Sequence, residues 1–225
     1  MRYSEIDFAR GLAVVLMLVF HFFFDASYFG KIELNGIFWY YFPRFIGGMF
    51  IFISGYTLSI IRPDFKRVGK KALKLAALAA FITLVTYVGV PGSYVVYGII
   101  HFFATATVAG YLFLKYPRMQ LFAGLSLFLA GIYFNQLRLQ TGVLVWLGLM
   151  PYGFSTLDYY PFLPWFGIFL LGMFAGSHIK PEGKFPEIPL ISTLGKNSLK
   201  VYIIQHPVII LFLHLLYGDV LQQIL

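Results

Sequence analysis

Cysteine is absent from all 225 residues, which removes disulfide frameworks, thiolate metal sites and cysteine nucleophiles at once. Charge is scarce. Asp, Glu, Lys and Arg make up 12% of the chain, and acids are the rarer kind, 9 against 17 Lys plus Arg. No long polar linker separates the apolar runs; short turns such as VPGS at 90–93 and KYPR at 115–118 do so instead, which leaves no room for a soluble domain between them.

What fills the chain is hydrophobic, 60% overall with 20% aromatic. That balance belongs to polytopic membrane proteins rather than soluble domains of this length. The formal charge of +8 does not point to nucleic acid, because the basic residues cluster beside apolar spans, where membrane orientation and attraction to lipid headgroups account for them.

Taking roughly twenty apolar residues as the unit of a span, the sequence predicts seven: about 6–28, 37–61, 70–90, 94–114, 119–137, 160–178 and 197–216. The expected fold is therefore an all-α, polytopic transmembrane helical bundle forming a single domain over residues 1–225. The first run is too long for a signal-peptide core and no small-residue cleavage site follows it, so it is expected to remain as a span. Residues 139–159 contain TGVLVWLGLMPYGF, too short to span and too apolar to float, and are read as a re-entrant or surface-lying lid.

The loops carry a strong charge asymmetry. Arg2, Arg62, Lys66, Arg67, Lys70, Lys71, Lys74, Lys115, Arg118, Lys180, Lys184, Lys196 and Lys200 fall on the side of the N-terminus, against Lys31 and Arg138 opposite. The positive-inside rule then places the N-terminus in the cytoplasm and, with an odd number of spans, the C-terminus outside. Trp39, Trp146 and Trp165 fall near the outer boundary, where interfacial aromatics sit.

Ionisable groups inside such spans are costly and mark function. His21 lies about 6 Å to the outer side of the middle of the first span, and His101 about 4 Å outside the middle of the fourth, at 1.5 Å per residue. His206 sits near the middle of the seventh. Arg44 shares this depth, and Asp25 is one turn beyond His21 on the same helix face. For His101 and His206, interhelical hydrogen-bond glue and chemistry both stand as readings; for Arg44 with Asp25, a charge pair and a substrate clamp both stand. His21 points to catalysis, because a carboxylate one turn away would fix its tautomer and free the other ring nitrogen. Asp158 is read as a helix-start residue before Pro161. Three histidines at one depth also raise a metal site, but no sequence argument makes their helices neighbours, and no metal is expected.

A second cluster lies toward the cytoplasmic side. Arg10 is embedded in the first span beside Gly11, and needs Asp7 or a ligand phosphate as partner. Arg62, Lys70 and Lys71 crowd the second connection, and in LGKNSLKVYIIQHPV, Gly195 is read as a chain break with Asn197 or Ser198 capping the last helix, whose start near Lys196 suits phosphate. Pro207 should loosen that helix beside His206. Glycines on the second and sixth spans, among them Gly55, Gly172 and Gly176, are read as helix-packing residues.

Five blocks in order, IDFARGLAVVLMLVFHFFFD, FIGGMFIFISGYTLSI, YGIIHFFATA, DYYPFLPWFGIFLLGMFAG and LGKNSLKVYIIQHPV, resemble the heparan-alpha-glucosaminide N-acetyltransferase catalytic-domain family. The arginine, ten residues, histidine pattern of the first span also resembles the bacterial membrane acyltransferases that decorate envelope sugars. The resemblance implies acetyl transfer across a membrane, from cytoplasmic acetyl-coenzyme A to a hydroxyl or amine of a glycan or glycolipid on the outer side. It implies His21 as general base or as acyl-accepting nucleophile, and Arg44, His101 or His206 as oxyanion donors. Coenzyme A phosphates would meet Arg10, Arg62, Lys70, Lys71, Lys196, Asn197 and Ser198. In the lysosomal branch the essential histidine lies in the loop after this helix; residues 26–37 hold none, so the assignment follows the bacterial pattern to His21. The chain is shorter than most relatives, and homodimerisation through glycine-bearing faces is the oligomeric expectation. A multi-pass location in a prokaryotic plasma membrane is expected. The competing class is a transporter or flippase of an envelope precursor, whose midplane polar groups would line a path; no inverted repeat is visible.

Overall fold

A computed structural model describes residues 3–183 and 188–223. Arg2 and Lys184 of the charge argument lie outside them. Eight α-helices follow in order: α1 Ser4–Tyr28, α2 Ile37–Ile61, α3 Phe65–Gly89, α4 Ile99–Phe113, α5 Pro117–Phe134, α6 Phe162–His178, α7 Pro189–Lys196 and α8 Ser198–Tyr217. Each predicted span coincides with one of them; α7 was not expected. Four helices, α1, α2, α3 and α8, are long and apolar enough to cross a membrane, while α4 and α6 are shorter apolar helices. Helix α5 spends its first turn on Pro117, Arg118, Met119 and Gln120, which shortens its apolar part.

The chain divides into two compact units, Met1–Phe50 with Pro181–Leu225, and Ile51–Lys180. In the first, α1 is the axis. The early half of α2 runs antiparallel to it, with Phe42 against Phe20 and Trp39 against Phe23 at ring-centroid distances of 6.2 and 5.3 Å. Helix α7 also runs antiparallel, and it approaches α1 backbone to backbone. A Cβ on Gly11 would stand 1.9 Å from the Ile191 carbonyl oxygen, and one on Gly195 would stand 1.9 Å from that of Asp7. Gly195 is thus a packing residue inside α7, not a chain break. Helix α8 runs parallel to α1: Val201 and Tyr202 pack on the Val14 and Met17 cluster, Ile209 and Leu213 on Ala26 and Phe29, and Lys31 pairs with Asp219 at 2.5 Å. Gly218, with φ of 80°, ends α8 in the left-handed conformation that glycine adopts without strain. Pro207 is accommodated inside α8 without breaking it.

In the second unit, α3 and α4 form one antiparallel pair and α5 and α6 another. Gly55 of α2 packs on the Phe169 carbonyl, while Gly172 and Gly176 of α6 pack on those of Phe52 and Tyr56. These glycines therefore spend their closeness within the chain rather than on a second copy. Between α5 and α6 the chain makes two short parallel strands, β1 Arg138–Leu139 and β2 Met150–Pro151, around a 3₁₀ turn at Val145–Leu147. This strip is stitched to the α3–α4 turn: Leu157 N donates to the Ser93 carbonyl, and Asp158 Oδ2 accepts from Ile99 N at 2.8 Å. Asp158 does serve a helix start, but that of α4 rather than α6.

Candidate functional site

Helical spacing on α8 builds one wall of the site. Gln205, Ile209 and Leu213 are its buried residues, a stripe at i, i+4 and i+8. The lower two positions pack on Ala26 and Phe29, so the stripe faces α1. Gln205 heads it and His206 stands next to it, at the level where α1 presents His21 and Asp25.

The His21 and His206 rings meet edge to face, centroids 4.7 Å apart. Asp25, 5% exposed, places its carboxylate oxygens 2.9 and 3.1 Å from His206 Nδ1. His21 Nδ1 instead lies 3.0 Å from the Met17 carbonyl. A carbonyl only accepts, so His21 Nδ1 carries the proton and its Nε2 keeps the lone pair. The carboxylate expected to orient His21 orients His206 instead. The reason is geometric: a histidine on a helix tilts toward the N-terminal side and reaches the carbonyl four residues back, leaving Asp25 to the partner helix. The His206 side chain is 42% exposed and His21 is half-buried, whereas the Asp25 carboxylate is buried.

Gln205 escaped the sequence reading, which followed ionisable groups. It is 3% exposed, and its carboxamide meets the His21 ring. A glutamine at the head of an otherwise apolar i, i+4, i+8 stripe was the available signal. Beyond Asp25 on the same unit, Ser27, Gly30, Lys31, Ile32, Glu33, Leu34 and Asn35 line an open depression of about 680 Å³.

The remaining candidates separate. Arg44 is exposed, with its guanidinium 3.6 Å over the Tyr40 ring and donating to the Tyr40 carbonyl. His101 belongs to the second unit, where both ring nitrogens are engaged: Nδ1 accepts from Gly98 N at 3.3 Å and Nε2 meets Thr83 Oγ1 at 3.0 Å. Thr83 in turn donates to the Val95 carbonyl, so the histidine closes the α3–α4 turn. Among the described residues no group of three or more His, Asp or Glu side chains is placed to hold a metal.

At the other end of the first unit, Arg10 Nη1 lies 3.8 Å from Asp7 Oδ1, and Asp7 is buried. Gly195 packs on Asp7 and Gly11, which brings Lys196, Asn197 and Ser198 to the level of Arg10. Asn197 does not cap α8 with its side chain; Nδ2 donates to the Thr193 carbonyl and closes α7 instead. Arg62, Lys70 and Lys71 lie in the second unit. Lys71 and Arg67 border a cavity of about 170 Å³ with Thr57, Leu58, Val68 and Thr107, whereas Arg62 and Lys70 do not.

The sequence profile of the family described as heparan-alpha-glucosaminide N-acetyltransferase, catalytic, matches residues 2–207. No curated protein and no solved structure matches the chain.

Proposed function

This chain belongs to the heparan-alpha-glucosaminide N-acetyltransferase catalytic family, and on that premise we propose that it is a membrane acetyltransferase that uses two adjacent histidines, one as base and one as acid, to move an acetyl group from acetyl-coenzyme A to a sugar hydroxyl or amine. The observation that carries the proposal is the division of labour between His21 and His206. His21, with Nδ1 committed to Met17, offers Nε2 as the base for the acceptor proton. His206, its Nδ1 held by the buried Asp25 carboxylate, is oriented to donate from Nε2 to the carbonyl oxygen as it gains charge.

The thioester supplies an activated acetyl carbon and a thiol leaving group. The acceptor oxygen or nitrogen bonds to that carbon, the carbon–sulfur bond breaks, His21 takes the acceptor proton, and His206 returns one to the thiolate. Proton exchange between rings 4.7 Å apart resets the pair. Arg44, stacked on Tyr40, and His101, bonded at both nitrogens, are less suited to the oxyanion role, which narrows to His206.

Coenzyme A phosphates are read as meeting Arg10 with Lys196, Asn197 and Ser198, and the basic residues around Arg62, Lys70 and Lys71 as attracting the donor or anionic lipid. The whole chain, residues 1–225, is read as one transmembrane domain of seven spans with a cytoplasmic N-terminus in a prokaryotic plasma membrane. The parallel course of α1 and α8 supports an odd number of crossings between them. Transport without acyl chemistry is the weaker reading, since a carboxylate-oriented histidine beside a second imidazole is an arrangement that handles protons.

The test is incubation of the purified protein with acetyl-labelled acetyl-coenzyme A and a crude envelope extract. Label in a sugar-containing product supports the proposal. Movement of a lipid-linked sugar across reconstituted vesicles, without acetyl-coenzyme A consumption, contradicts it.

A further inference from the structure

On α3 the buried residues Val68, Ala72, Leu75 and Ala79 form one stripe, and Arg67 and Lys71, one turn apart, flank it on the same side. Lys66 and Lys70 fall on the opposite face of the helix. The flanking pair borders the cavity of about 170 Å³ that lies among the end of α2, the start of α3 and α4, whereas Lys66 and Lys70 do not. Leu58, Ile61, Pro63 and Val68 supply apolar walls. The two hydroxyls there, on Thr57 and Thr107, spend their protons on carbonyls of their own helices, those of Ile53 and Phe103, at 2.6 Å each. The walls therefore accept hydrocarbon, and their side chains offer no donor to a polar ligand.

The depth of the cavity matters as much as its lining. Helices α2 and α3 are both long and apolar enough to cross a membrane, and the cavity stands where one ends and the other begins. That is the level at which a lipid phosphate and the first methylenes of its chains lie. Residues 62–74 carry six Lys or Arg against Asp64 alone. Arg67 pairs with Asp64 at 3.4 Å, but the two side chains are 78% and 62% exposed, and a pair so open to solvent is weak enough to be shared with a phosphate.

From this placement we infer that the corner between α2 and α3 is a binding site for one anionic phospholipid, its phosphate lying across Arg67 and Lys71 and the start of an acyl chain entering the cavity. The site is discrete, two cations and one cavity, and so differs from the general attraction of a basic loop to a charged surface. Coenzyme A fits it poorly, because its adenine and ribose carry polar edges that walls of methyl groups and committed hydroxyls leave unpaired. The inference rests on the membrane reading above and is independent of acetyl transfer.

The experiment titrates the full-length protein in detergent with dioleoyl phosphatidylglycerol or dioleoyl phosphatidylcholine and counts bound lipid by native mass spectrometry, with glycerol 3-phosphate and coenzyme A as competitors. The expected result is one phosphatidylglycerol bound at least about tenfold more tightly than phosphatidylcholine, and displaced by neither competitor. Arg67→Gln and Lys71→Gln should each weaken it about fivefold, the effect of one cation near a lipid phosphate, while Lys66→Gln and Lys70→Gln, which remove the same charge from the other face, change it less than about twofold. Thr57→Leu, which places a longer apolar side chain in the cavity without altering charge, should also weaken it. Equal losses from all four cation variants, equal affinity for the two lipids, or full affinity in a folded Thr57→Leu protein would overturn the inference. Displacement by glycerol 3-phosphate would make this a site for free phosphate, and displacement by coenzyme A a site for the donor; either overturns it too. Release of the protein from native membranes by an alkaline carbonate wash would overturn the membrane reading with it.

Discussion

Asp25 of α1 holds His206 of α8, its two carboxylate oxygens 2.9 and 3.1 Å from Nδ1. This pairing ties the first helix to the last at the depth where His21 stands, and it assigns the buried charge to the second imidazole rather than to the first.

Removing that charge at constant shape should be severe. Asp25→Asn is expected to lower kcat by up to about 10⁴, the loss known for neutralising an orienting carboxylate beside a histidine base. His206→Gln should cost a similar amount, and the double substitution little more than either alone, because the two residues act as one unit. Fully additive losses in coenzyme A release would show that they act separately.

The backbone contact between α1 and α7 sets the second expectation. Gly11→Ala must separate the helices, since its Cβ would stand 1.9 Å from the Ile191 carbonyl oxygen, and overpacking of this kind costs about 1–3 kcal/mol. Gly69→Ala on α3, where nothing lies within 4 Å, should be neutral or stabilising by about 0.5–1 kcal/mol through helix propensity. Thermal unfolding in detergent compares the two.

Much of this arrangement was legible in the sequence. Runs of about twenty apolar residues located the helices α1 to α6 and α8, of which α1, α2, α3 and α8 are long and apolar enough to cross a membrane. Helix α7 was not legible, since Pro189–Lys196 is eight residues long, and its Gly195 read as a break when it is a point of close approach. The layer of polar groups was visible by depth, and His21, Asp25 and His206 do meet. Which histidine Asp25 serves was not visible, because that depends on the azimuth of α8 about α1. Depth also grouped His101 with these residues, although its ring is committed to Thr83 and Gly98. Gln205 carries no charge, so a search for ionisable groups passed over it.

Arg10 should act on donor binding. If it meets a coenzyme A phosphate, Arg10→Gln raises the KM for acetyl-coenzyme A by about tenfold, or about 1.4 kcal/mol, and leaves that for acetyl-pantetheine, which has no phosphates, unaltered. An equal rise for both donors would assign Arg10 to the fold through Asp7.

Tyr159, in the strip between α5 and α6, has a testable pH signature. Burial pushes its phenol above the ordinary 10.0, against a smaller opposing pull from Arg138, and the hydroxyl donates to the Val145 carbonyl at 2.8 Å. The folded protein keeps a proton that the unfolded chain releases above pH 10, so this contribution to stability is complete below pH 10 and is lost as pH rises beyond it. The unfolding temperature of the wild type should therefore fall more steeply from about pH 9.5 to about pH 11 than that of Tyr159→Phe. Parallel curves would contradict the assignment.

The proton-accepting role proposed for His21 is tested most directly by comparing wild type and His21→Ala, each given acetyl-labelled acetyl-coenzyme A and envelope extract, with donor binding followed in the same samples. The expected result is full retention of donor binding and of the folded state, with transfer of label abolished. Transfer at the wild-type rate by a folded His21→Ala protein would contradict the account.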